Sequence, residues 1–182
     1  MRRLTLAWTL SALTLTPLAQ AGDAHPPGYG QGLAERIPSL APEVQAFLPE
    51  ARRIAAESII LDTHVDVPYR LERGWVDVSE ATKGGDFDYP RAVAGGLDAP
   101  FMSIYIPADV DAQDQGSELA DRLIDSVEAL VAADPDKFAL AKSPGELVAN
   151  FHAGKISLPM GMENAGPIRS VEEVAHWRER GI

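Results

Sequence analysis

The order of apolar runs and capped helices along the second half of the chain is its most constraining feature. Residues 101–106 (FMSIYI) read as a strand closed by Pro107. A helix is predicted over about 118–133, with Leu119, Leu123, Val127, Leu130 and Val131 as its apolar stripe. Residues 138–141 form another short strand. Ser143, Pro144 and Glu146 then stand as N-cap, first helical residue and capping-box partner, and Gly154 closes that helix. Residues 156–162 read as a further strand, and Ser170 with Glu173 opens a last helix that Gly181 ends. Strand, helix, strand, helix, strand, helix in that order favours a parallel sheet over a sandwich.

One more strand precedes these. Residues 59–61 are an apolar run that reads as a buried strand leading into Asp62-Thr63-His64-Val65-Asp66, and Pro68 stops its simple continuation. Four strands are thus expected, and a complete (β/α)8 barrel takes about 250 residues. The expectation is an α/β fold, the N-terminal portion of such a barrel and apparently truncated, with residues 42–182 as half of a single domain. Residues 22–41 are rich in Gly, Pro and Ala and read as a loose lead-in.

The first 21 residues read as an export signal. Arg2 and Arg3 supply the positive end, residues 4–15 are apolar apart from Thr and Ser, and Ala19-Gln20-Ala21 offers small residues for cleavage. No later stretch is long enough to suggest a membrane span once that signal is removed. A periplasmic or secreted location follows. The chain has no cysteine, which excludes disulfide staples and thiol catalysis. Its formal net charge of -11 argues against a binder of nucleic-acid backbone, which needs basic residues to displace counterions.

Asp62, His64 and Asp66 are the sharpest local signal. Alternate strand residues share a face, roughly 6.5 Å apart, and an apolar strand delivering polar groups at its C-terminal end is where α/β barrels place their chemistry. An imidazole with carboxylates suits zinc or a similar ion. By spacing alone, a core histidine with two turn-capping aspartates is an equal alternative. Glu163 ends the apolar run SLPMGM and reads as a metal bridge, a general base or a loop cap. Asp109, Asp111 and Asp114 lack the spacing of a calcium loop. Ser103 and Ser117 have neither a nucleophile-elbow motif nor a visible base partner. His25, His152 and His176 lie in the lead-in, at a helix end and on the last helix, and carry no site reading.

Taken together, IILDTHVDVPYRL, DFDYPRAVAGGLDAPFMSIYIP and SLPMGMENAGPI resemble the membrane dipeptidase (renal dipeptidase) family of zinc peptidases, in that family's order and approximate spacing. The resemblance covers residues 59–168. It implies a barrel of the metal-dependent hydrolase type, two zinc ions per complete site and hydrolysis of dipeptides, including those with a C-terminal D-residue. It further implies that His64 and Asp66 ligate one zinc, that Glu163 bridges both, and that Asp62 supports from behind. Asp88 and Arg91 fall in a matching segment and are given structural roles first. Two departures could reshape the pocket: Val65 stands between the His and Asp where many members have Asn, and Asn164-Ala165 replaces a common Gly-Gly. The two further histidine ligands, a substrate-holding histidine and a late aspartate that the family implies find no counterpart in the chain, so residues 1–182 alone are expected to be inactive. The expected partners are a dipeptide and, for the complete protein, a second copy of itself. An exported, non-catalytic zinc-binding or assembly protein, and a hydrolase of another small amide, are the alternatives.

Overall fold

The computed structural model describes residues 25–28 and 41–182. The export-signal reading of residues 1–21 and most of the lead-in therefore lie outside the described residues.

Two helical segments come first, α1 (Pro42–Gln45) and α2 (Leu48–Glu57), each with proline in its first turn, where a missing N–H costs nothing. Strand β1 (Leu61–Val65) runs directly into α3 (Val67–Glu72). After the glycine-punctuated loop, α4 (Tyr89–Gly95) ends at Gly96, whose left-handed φ of 70° closes the helix. Next come β2 (Ala99–Tyr105), α5 (Ala108–Asp111) and the long α6 (Gly116–Ala133). The chain continues through β3 (Phe138–Leu140), α7 (Pro144–His152), β4 (Ile156–Leu158), β5 (Met160–Glu163) and α8 (Val171–Arg180). The capping box at Ser170 and Glu173 is formed. At α7 the Ser143 hydroxyl accepts from Glu146 N, while the Glu146 carboxylate accepts from Lys142 N instead of closing the box on Ser143.

The core follows from two periodicities meeting. On β2, Met102 and Ile104, with Ile106 beyond the strand, alternate onto one face and are fully buried. Leu119, Leu123, Val127 and Leu130 of α6 bury the predicted stripe, with Ala120 and Ile124 added and Val131 half-buried at its margin. Helix α6 packs against β2, β3 and α3.

The barrel expectation is not met. Among the described residues, the strands form two small open sheets, one of order β1-β2-β5 and one pairing β3 with β4, all parallel, beside eight helices. In a barrel, strands consecutive in the chain are neighbours, so the third would lie beside the second. Here β3 takes no place beside β2. The run 156–163 is instead split at Pro159, which has no N–H to donate to a ladder. Its first half pairs with β3, and past the proline its second half pairs with β2, Met102 N donating to the Pro159 carbonyl at 2.8 Å. The proline thus moves one extended run from one partner to another, and neither sheet closes.

A second correction concerns β1. It is predicted to be buried, yet Leu61 through His64 are exposed, and Ile60 and Leu61 keep 39% and 41% of their surface. Its apolar residues signal a strand, but it lies at the sheet edge with β2 as its only strand partner among the described residues. Among the described residues, no helix is long and apolar enough to cross a membrane.

Candidate metal centre

Three side chains from two strand ends converge. β1 stops at Val65, and Asp66 occupies the position before α3 with a bridge-region backbone (φ -84°, ψ 28°). Its carboxylate makes no capping bond to that helix. It turns back to His64, whose Nε2 lies 3.3 Å from Asp66 Oδ1. Glu163 ends β5 opposite Tyr105, and its Oε2 is 3.1 Å from the same His64 Nε2. The two strands are not neighbours, since β2 lies between them. Their C-terminal ends meet across it.

The local backbone explains how each group is presented. Between Asp62 and Val65 the pairing of β1 with β2 is irregular, and Asp62 Oδ1 accepts from His64 N at 2.9 Å. Asp62 therefore spends its carboxylate on the backbone two residues on, as turn-forming aspartates do. So the turn-capping alternative holds for Asp62 but not for Asp66. Glu163 is fixed by its successor. Asn164 adopts a left-handed φ of 60° and donates from Nδ2 to the Ile106 carbonyl at 2.7 Å, while Ile106 N donates to the Glu163 carbonyl at 3.1 Å.

The donor set fits a divalent ion. One ligand atom from each of His64, Asp66 and Glu163 falls within 4.8 Å of the others. Ligands bound to zinc at about 2.0–2.2 Å in a tetrahedron are about 3.4 Å apart, close to the 3.1 and 3.3 Å found at His64 Nε2. An imidazole and two carboxylates are donors zinc accepts, and three protein ligands leave a position open. The side chains stay 49%, 66% and 44% exposed, so an ion there would be reachable from solvent. Two open clefts flank them. One, of about 380 Å³, is lined by Thr63, Phe101, Ser103, Met162 and Glu163 together with His64. The other, of about 450 Å³, holds Asp62, Asp66, Arg70 and Asp86. Arg70 shapes the second: it donates to the Gly84 carbonyl and lies so close over Gly85 (φ 75°) that any side chain there would strike its guanidinium.

The remaining candidates are structural. Asp88 caps α4 and is 1% exposed. Burial opposes its ionisation, but hydrogen bonds from Arg91 and Thr82 outweigh that and hold its carboxyl down at about 2. Asp111 and Asp114 pair with Arg169, tying the loop after β5 to the end of α5 and the turn that follows it. His152 and His176 stack edge-on against their neighbours Phe151 and Trp177. His25 bonds the Ala56 carbonyl and packs on Phe151, so this part of the lead-in is docked, a contact with no local signal. Ser117 is exposed on α6. Ser103 is the residue that sequence reasoning passed over: its hydroxyl donates to Glu163 Oε2 at 2.9 Å. No local motif signals that bond, because the two residues stand 60 positions apart.

Residues 48–182 match the model of the membrane dipeptidase family, peptidase family M19. Dipeptidase verJ of Clonostachys rogersoniana is 27% identical over 131 residues, covering 64% of this chain and 34% of that protein. Dipeptidase ataJ of Aspergillus terreus is 27% identical over 143 residues, 71% of this chain and 33% of its own length. The chain thus spans about a third of the curated relatives it matches. A metallo peptidase from Rhodobacter sphaeroides, solved with a phosphinate mimic of the dipeptide L-Ala-D-Ala, superposes with a TM-score of 0.60 at 20% identity. That match covers 68% of this chain and 43% of the other. At that identity the likeness is one of fold.

Proposed function

The chain belongs to the membrane dipeptidase family, and on that footing we propose that the protein is a zinc-dependent dipeptidase whose metal is held by His64, Asp66 and Glu163. The observation that carries this is the convergence of those three groups within 4.8 Å at two strand ends inside the matched region.

A divalent ion bound there supplies Lewis-acid polarisation of a carbonyl and activation of water. The rest falls to the chain's own residues. His64 offers the Nε2 lone pair, and Asp66 and Glu163 offer carboxylate oxygens that would balance the charge of a cation. Asp62 holds the His64 backbone in place through the 2.9 Å bond to its N–H. The cleft beside Phe101, Met162 and Glu163 is the space for a dipeptide, with apolar walls for side chains and the carboxylate at its edge. The dipeptide mimic held by the Rhodobacter sphaeroides peptidase supports acceptance of a C-terminal D-residue. Export through residues 1–21 belongs to the same proposal, as does a second zinc, for which Glu163 would serve as the shared ligand.

The test is release of free amino acid from L-Ala-L-Ala and L-Ala-D-Ala by the zinc-loaded protein, before and after chelation. For the whole protein, hydrolysis that chelator removes and added zinc restores is the expected result, whereas residues 1–182 alone are expected to bind zinc without turnover. Zinc bound by His64, Asp66 and Glu163 without turnover in the whole protein would favour the non-catalytic zinc-binding reading, which the presence of only three grouped ligands among the described residues also permits. Turnover of small cyclic amides in place of dipeptides would favour the third reading. Absence of zinc binding would sink the metal site itself.

A further inference from the structure

We infer that Ser103 is a positioning residue for Glu163, and that its hydroxyl sets how tightly the site holds a divalent ion. The inference rests on the zinc site just proposed and goes one residue beyond it.

Ser103 sits at the middle of β2, on the face opposite Met102 and Ile104, and is 3% exposed. A buried hydroxyl needs a partner. Ser103 could have returned its proton to the local backbone, as serines often do. It donates instead to Glu163 Oε2 at 2.9 Å. That oxygen is also the one 3.1 Å from His64 Nε2. The hydroxyl therefore acts on the ligand atom itself.

The strand register makes the contact possible. Ser103 is paired with Gly161 and Tyr105 with Glu163, so the bond is a diagonal one between neighbouring strands. A carboxylate on a freely rotating stem loses rotamer freedom when it takes an ion. One already held by a charge-assisted bond loses less. Glu163 is held in this way, whereas Asp66, 66% exposed, is met by the His64 ring. The two anionic ligands are thus unequally prepared, and the buried serine makes the difference.

Ser103 is not placed as a nucleophile. Its hydroxyl proton is directed at Glu163 Oε2, the same oxygen that meets His64 Nε2, and the residue is 3% exposed.

The experiment measures the affinity of the full chain for zinc alone by competition with a chromophoric chelator, and records the visible spectrum of bound cobalt. Folding is followed by circular dichroism. Ser103→Ala is expected to weaken zinc binding roughly 10–100-fold, the cost of losing an outer contact to a metal ligand, and to alter the cobalt spectrum. Ser103→Thr keeps the hydroxyl and should bind close to the parent. Ser103→Val has the shape of threonine without the hydroxyl and should track the alanine variant. If alanine does not fold, the matched threonine and valine pair decides the question. Equal affinity and identical cobalt spectra in parent, threonine and valine proteins would overturn the role of Ser103 while leaving the site standing. A parent no tighter than His64→Ala would instead remove the site, and this inference with it.

Discussion

Asp88 and Asp66 are both aspartates at the mouth of a helix, yet their surroundings differ in every respect that matters. Asp88 is 1% exposed and takes hydrogen bonds from the backbone and side chain of both Thr82 and Arg91. Asp66 is 66% exposed, does not cap its helix, and meets only the imidazole of His64 among these side-chain contacts. In the first cluster the protein supplies the donors and the cation itself, a guanidinium 2.9 Å away. In the second, two carboxylates approach one imidazole, and among the described residues neither carboxylate pairs with an arginine or lysine. A charge cluster completed by the fold is a structural knot; one left short of positive charge is ready for an ion from solution.

Each half of that contrast can be broken separately. The largest effect should come from Asp88→Ala. Removing this buried carboxylate strips the N-cap of α4 and takes an acceptor from both Thr82 and the part-exposed Arg91, costing about 3 kcal/mol of stability in urea denaturation, with zinc affinity unchanged. His64→Ala or Glu163→Gln should do the reverse. Zinc affinity should fall by more than about 100-fold, some 2.7 kcal/mol, beyond what an outer contact costs. Stability of the metal-free protein should stay within about 0.5 kcal/mol, because these groups are half exposed. A ligand variant that unfolds the metal-free protein would collapse the distinction.

Acid should act on the knot next. The Asp88 carboxyl is depressed from 3.8 to about 2 in the folded protein. A depressed carboxyl stabilises the fold above its unfolded value and loses that contribution as pH falls through the folded one. Asp88 should thus add about 2 kcal/mol at neutral pH, fading between pH 3.8 and about 2. Asp88→Asn should flatten that part of a stability profile. The smallest change should be Asp62→Ala, which frees the His64 backbone without removing a ligand. Zinc affinity should drop roughly 10-fold, and a drop as large as that of His64→Ala would make Asp62 a ligand in its own right.

Much of this was legible before any tertiary information. The helices α6, α7 and α8 declare themselves through stripes and caps that act within four residues of one another. The strand ends at DTHVD and at Glu163 stand out because an apolar run delivers a polar group where the strand stops. The alternative readings of Asp62 and Asp66 could not be separated from sequence, because both fit the same spacing; only the direction of each carboxylate distinguishes the turn-former from the group facing His64. The strand order and the exposure of β1 were misread for a related reason. A strand pattern reports that a segment is extended and apolar, and says nothing of which neighbour it will find.

The sequence alone therefore determined the capped and striped helices α6, α7 and α8, the acidic and cysteine-free chemistry, and His64, Asp66 and Glu163 as candidates for holding an ion. It gave no warning of α3, α4 and α5 or of the split of residues 156–163 into two strands. Tertiary structure decided that β5 takes the place beside β2, that Pro159 hands the same run from β3 to β2, and that Ser103 meets Glu163 across 60 residues. Caps and stripes are local, their energies fixed by residues within a turn or two. Strand pairing is a competition among distant segments for one ladder, and its outcome is written in no segment by itself.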